Sequence, residues 1–176
     1  MITIFATTKP FQGEIETIQR NALLSWKKLN PKCEIILFDN EPGAEEIAKE
    51  MELIHVPEVR KNEYGTPLIS DIFEKAQKIA KNKILAYVNA DIVLMKDFLE
   101  AISRINLEKF LIVGRRWDID IKERINFQNQ NWEGELKEKI KREGALHGPA
   151  GIDCFVFSRG ALGNIPKFAL GRTCWD

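Results

Sequence analysis

The feature that most constrains this chain is the regular alternation, over its first 113 residues, of short apolar runs with amphipathic stretches. Ile2 to Ala6, Glu34 to Phe38, Leu53 to Val56, Ile84 to Val88 and Phe110 to Val113 are runs of strand length. Between them, apolar residues recur at helical spacing: Ile15, Ile18, Ala22, Leu23, Trp26 and Leu29, then Ala44, Ile47, Ala48 and Met51. Ile69, Ile72, Phe73, Ala76, Ile79 and Ala80 form a third stripe, and Phe98, Ala101, Ile102 and Ile105 a fourth. Strands joined through helices require parallel crossovers, because a tight turn can reverse a chain but cannot return it to a parallel neighbour. The pattern therefore predicts a three-layer α/β/α domain around a mostly parallel sheet.

Punctuation residues set the expected boundaries. Pro31 stops the first helix, Pro42 sits near the first turn of the second, and Thr66-Pro67 reads as an N-cap with proline at the first helical position. After Gly114 the periodicity fades. Residues 117–130 are polar and aromatic, a charged helix with Trp132, Leu136 and Ile140 on one side follows, HGPAGID reads as loop, and Cys154 to Phe157 is a last strand. Residues 1–176 are read as one domain. Residues 1–113 form its regularly alternating half, and 114–176 a second half that stops before its expected end.

Composition excludes several classes. Lys plus Arg and Asp plus Glu number 26 each, so no global basic field recruits nucleic acid or an anionic membrane. No stretch approaches the roughly 20 apolar residues of a membrane span. The apolar N-terminal run is cut by Pro10 and reads as a strand, not a signal peptide. Cys33, Cys154 and Cys174 have neither even number nor CxxC spacing, which points to free thiols and a cytoplasmic location.

In open α/β sheets ligands bind beyond the carboxyl ends of the strands. At those ends lie Thr7, Thr8 and Lys9, then Asp39, then Glu58, then Asn89 with Asp91. Each alone is ordinary turn or cap chemistry. Together they make a rim of polar groups that points to a binding site, without naming its ligand. No GxGxxG opens the first helix, and no GxxxxGK[ST] occurs. A phosphate ligand must then be neutralised by a metal or by basic side chains.

The succession ATTKPF, FDNE, YGTP and VNADIVL resembles the nucleotide-diphospho-sugar transferase superfamily of GT-A fold. The resemblance implies that Asp39 meets the nucleoside. It places Asn89-Ala90-Asp91 where the family's DxD holds Mn²⁺ or Mg²⁺ on the diphosphate, with an amide replacing the first carboxylate. The segment FVFSRGALGNIP…GRTCWD resembles the strand and loop leading to the family's acidic catalytic motif, so Asp176 takes the general-base position. Asp153 is a second candidate base, or a residue that orients the acceptor hydroxyl. A literal DxD at Asp118 and Asp120 follows Arg115 and Arg116 on the acceptor side; His147, Trp117 and Trp132 are further contacts to consider there.

The implied function is transfer of a glycosyl group from a nucleoside-diphosphate sugar to a glycan, lipid or protein acceptor. Two other readings stay open: a noncatalytic nucleotide- or carbohydrate-binding domain of this fold, and a nucleotidyltransferase. The latter is disfavoured because the loop ATTKPFQG lacks the glycine-rich arginine segment of sugar-nucleotide pyrophosphorylases.

Overall fold

The computed structural model describes residues 1–171. Its elements run β1 (Ile2–Thr7), α1 (Gly13–Lys28), β2 (Glu34–Phe38), α2 (Ala44–Glu50), β3 (Ile54–Val56), α3 (Ile69–Ile79) and β4 (Ile84–Val88). They continue α4 (Lys96–Ser103), β5 (Leu111–Gly114), β6 (Trp117–Asp118), α5 (Trp132–Glu143), β7 (Ala145–Leu146) and β8 (Cys154–Ser158). Six strands form one sheet in the order β3-β2-β1-β4-β8-β5. The first four of that order are mutually parallel. β8 is antiparallel to both neighbours, which leaves β5 running in the direction of β4. The chain is an α/β protein with a mostly parallel sheet, as the alternating pattern predicts.

Side-chain alternation along the strands builds a core on each face. Ile2, Ile4 and Ala6 of β1, Ile35 and Leu37 of β2, Ala86 and Val88 of β4, and Val156 of β8 meet Leu23 and Trp26 of α1 and Ile47 of α2. Phe5, Ile36, Phe38, Leu85, Tyr87 and Phe157 point the other way, against Ile72, Phe73 and Ala76 of α3. That second core is aromatic: Phe5 meets Phe73 edge-on at 5.0 Å, and Phe73 stacks on Phe157 at 5.6 Å. With both faces covered, the strands need continuous apolar runs, and the sequence supplies them.

Two local expectations are corrected. α3 begins at Ile69 with Leu68 at its N-cap, and Thr66-Pro67 does not start it. Residues 60–68 fold instead into a tight strap. In it the Asn62 backbone N–H donates to the Thr66 carbonyl (2.9 Å) and that of Leu68 to Arg60 (2.8 Å), while Lys61 bridges Pro67. The strap is tied to α3 by buried Asp71, which accepts from the Arg60 backbone N–H and guanidinium, each at 2.7 Å. The polar segment after Gly114 also contains a short antiparallel pair, β6 with β7, that its lack of periodicity concealed.

Candidate functional site at the carboxyl rim

Strand order determines where a ligand can enter. From β1 the chain steps outward to β2 and β3, then crosses over to β4 on the other side of β1. The loops after β1 and β4 therefore diverge, and such a switch point opens a crevice at the carboxyl end of a parallel sheet. A cavity of about 370 Å³ occupies that crevice, with Thr7, Thr8, Lys9, Asn89 and Asp91 in its wall and Tyr87 beneath.

Each wall is held from behind. The side-chain amide of Gln19, buried on α1, accepts from the Lys9 backbone N–H (2.7 Å) and donates to the Lys9 carbonyl (2.9 Å). That double clasp fixes the loop after β1 while leaving the Lys9 side chain exposed. Tyr87 OH lies 3.5 Å from the Thr7 hydroxyl, and burial pushes its phenol far above the usual range, so the cavity floor carries no charge there. The Thr8 hydroxyl is buried without a hydrogen-bond partner among the described residues.

The loop after β4 is pinned to α1 from two sides. Trp26 Nε1 donates to the Ile92 carbonyl (2.8 Å), and the Leu94 backbone N–H donates to Ser25 Oγ (3.0 Å). These bonds hold the loop directly after Asp91, whose side chain is exposed and has no hydrogen bond or ion pair among the described residues.

Asn89 is committed differently. Its Nδ2 donates to Asp153 Oδ1 (2.6 Å), and its backbone N–H donates to the Asp153 carbonyl (3.0 Å). Because a carboxylate only accepts, this contact fixes the amide orientation and turns Oδ1 away from Asp153. Asp153, 8% exposed, receives Arg116 Nη1 on its other oxygen. Arg116 also donates from Nε to Asp118 Oδ1 (2.7 Å), and Asp118 Oδ2 accepts from His147 Nδ1 (2.6 Å). Burial opposes the Arg116 charge, but the bonds to Asp118 and Asp153 outweigh it and raise the guanidinium above its ordinary value. Hydrogen bonds from His147 and Arg116 hold the Asp118 carboxyl below the usual range. One guanidinium thus joins the N-A-D turn, through Asp153, to the first acid of the literal DxD.

The rest of the sequence-derived set is more dispersed. Asp39 ends β2 in the left-handed region (φ 76°), a conformation that aspartate tolerates better than most side chains. It is 2% exposed; its Oδ1 accepts from the Asn40 backbone N–H and pairs with Lys61 Nζ, each at 2.8 Å. Phe38 is the register partner of Thr7, so Asp39 lies at the same rim beside the loop after β1 but does not line the cavity. Glu58 is exposed, and its carbonyl accepts from Lys75 Nζ on α3 (2.5 Å); its side chain lines neither cavity described here. Asp176 lies outside the described residues.

Beyond Asp91 a second cavity, of about 610 Å³, lies between the loop after β4, the β5–β6 segment and α5. Asp91 and Ile18 border both cavities. Asp118 and Asp120 line this one only, with Trp117. Among the described residues no group of three or more His, Cys, Asp or Glu side chains is placed to hold a metal alone.

Reading the sequence missed Gln19, Tyr87 and Lys61. Gln19 carried a signal, since it falls within the apolar stripe of Ile15, Ile18, Ala22 and Trp26, where a polar residue must find a buried partner. Tyr87 is indistinguishable from core in an apolar strand, and Lys61 in a charged loop has no signature.

No protein-family model matches the chain, and a search of curated proteins finds no match. Solved structures do resemble it. They include TarS 1-349 of S. aureus, at TM-score 0.44 and 16% identity over 58% of this chain and 31% of that one; the same protein was also solved with UDP-GlcNAc. The bifunctional IspDF of Campylobacter jejuni aligns at TM-score 0.48 and 8% identity, covering 90% of this chain and 41% of that one. The mannosyltransferase PcManGT of Pyrobaculum calidifontis, in complex with GDP-Man and Mn²⁺, gives 0.45 and 14%, covering 90% and 44%. These likenesses concern fold alone. The chain spans between about a third and under half of the length of these structures. No helix among the described residues is long and apolar enough to cross a membrane.

Proposed function

We propose that this chain carries the donor site of a glycosyltransferase that uses a nucleoside-diphosphate sugar. The observation that carries the proposal is the exposed carboxylate of Asp91 on the boundary of two cavities, one at the switch-point crevice and a larger one beyond it. A group-transfer enzyme needs such an arrangement: two substrates meeting at one charged point.

In this reading the loop Thr7-Thr8-Lys9 receives the nucleotide and Lys9 supplies positive charge near the phosphates. Asp39 serves the nucleoside after exchanging Lys61 for a ligand donor, and Glu58 stays at the margin. Mn²⁺ or Mg²⁺ fits Asp91, because a hard cation prefers an unpaired carboxylate, and the amide oxygen of Asn89 is a second oxygen donor. When bound, the cation supplies Lewis-acid charge to the diphosphate. The acceptor oxygen bonds to the anomeric carbon as the bond from that carbon to the diphosphate oxygen breaks. The diphosphate leaves with the electron pair, and the acceptor proton passes to a carboxylate base. We assign the base to Asp176. Asp153 has both oxygens occupied, so we assign it the part of a clasp that orients Asn89.

Titration calorimetry with UDP and with GDP, in Mn²⁺ and then in EDTA, tests the proposal. Binding that requires Mn²⁺ is expected in the wild type, and in Asp91→Asn the gain in affinity from Mn²⁺ should vanish. If neither nucleotide binds under any of these conditions, the donor-site reading is wrong. Release of pyrophosphate in place of nucleoside diphosphate during turnover would assign nucleotidyl transfer instead.

A further inference from the structure

We infer that the larger cavity takes an uncharged acceptor with a hydrocarbon body, presenting its hydroxyl at the Asp91 boundary; this rests on the donor-site reading above. At about 610 Å³ the cavity lies in the size range of small-molecule pockets. Its wall is more apolar than polar, with Ile92, Leu94, Ile119, Ile121, Leu136 and Ile140 giving it aliphatic surface beside its charged side chains. A pocket for a free sugar would need polar donors and acceptors matched to several hydroxyls, since each buried hydroxyl left unpaired is costly. Aliphatic side chains offer none, and they gain by covering an apolar ligand.

Most charged side chains of the wall are already engaged. Arg116 is held by Asp118 and Asp153, and Arg115 turns Nε onto the His147 carbonyl at 3.0 Å. Lys137 pairs with Asp97 at 3.2 Å, and Lys122 with Asp120 at 3.4 Å. Asp91 is the one charged group of the wall with no partner among the described residues, and it is an anion. Arg115 has no anionic partner among the described residues but spends Nε and Nη2 on the His147 carbonyl, and an anionic acceptor brought to the shared edge would meet the unpaired carboxylate of Asp91. A hydroxyl finds an acceptor at the edge shared with the donor cavity.

The experiment titrates three probes into the protein, the two octyl compounds below their micelle-forming concentrations: octyl β-glucoside, methyl β-glucoside and octyl phosphate. Octyl glucoside is expected to bind with or without UDP and Mn²⁺, and methyl glucoside more than tenfold more weakly. Octyl phosphate is expected to bind no better than methyl glucoside. Ile121→Asn should weaken octyl glucoside at least tenfold with nucleotide affinity unchanged, while Ile121→Met, which keeps apolar volume, should retain it. Equal or tighter binding of octyl phosphate overturns the inference. So does octyl glucoside binding that ignores Ile121→Asn, or that UDP competes away. Nucleotide binding without any binding of octyl glucoside also overturns it and leaves the donor site standing. Octyl glucoside binding without nucleotide binding removes the donor reading while the apolar preference of the cavity stands.

Discussion

Replacing Asp153 with alanine separates the two roles open to that residue. The substitution removes the acceptor of Asn89 Nδ2 and the ion pair with Arg116, while the bond from the Asn89 N–H to the residue 153 carbonyl survives. A hydrogen bond to a charged group contributes about 1.5–3 kcal/mol, and breaking a fully buried ion pair costs about 3–5 kcal/mol. Arg116 keeps Asp118 as a partner and is 29% exposed, so it is not stranded in a dry core. The expected net loss is therefore about 2–3 kcal/mol, or roughly 5–10 °C in Tm for a domain of this size. Asp153→Asn should lose less, about 1–2 kcal/mol, because one oxygen remains while its new amide N–H₂ faces a donor. Urea denaturation measures both. Nucleotide titration on the same variants should show affinity falling in parallel, since the Asn89 side chain beside Asp91 loses the partner that orients it. A stability change within about 0.5 kcal/mol would show that the clasp contributes nothing. Unchanged stability and nucleotide affinity with lost turnover would return Asp153 to the part of a base.

Ser25→Ala should destabilise by about 1–3 kcal/mol, because the Leu94 backbone N–H then lies buried without an acceptor; chemical denaturation checks it, and a neutral result would mean water replaces the hydroxyl. Burial opposes the charge of Asp71, but the Arg60 backbone N–H, Lys75 and the Arg60 side chain outweigh it and lower its pKa below the ordinary 3.8. Its contribution is thus complete above about pH 4 and fades as pH falls through the depressed folded-state value; the gap in urea midpoint between wild type and Asp71→Asn should shrink across that window. Burial pushes Cys33 up to about 11 and Cys154 up to about 12. Both should alkylate at pH 8 more than tenfold more slowly in the folded protein than in urea, as peptide mapping by mass spectrometry would show.

The alternation of elements was legible because it is local. A strand's two-residue period and a helix's stripe are written in neighbouring positions, and β1 to β4 with α1 to α4 follow from them. So was the rim, since in a parallel sheet every strand's carboxyl end faces the same way, bringing Thr7, Asp39 and Asn89 to one edge. What the linear pattern could not specify was pairing across long separations. Cys154 to Phe157 reads as a strand of either direction, and only packing inserts β8 antiparallel between β4 and β5, where Val88 faces Cys154. That insertion seats Asp153 against Asn89, 64 positions away. Thr66 carries the local signature of a cap, yet the bonds of the strap and the Asp71 anchor outcompete it. The sequence by itself determined which groups reach the rim. The tertiary structure decided which of them touch, because contact depends on strand order and on the desolvated partners each polar group must find.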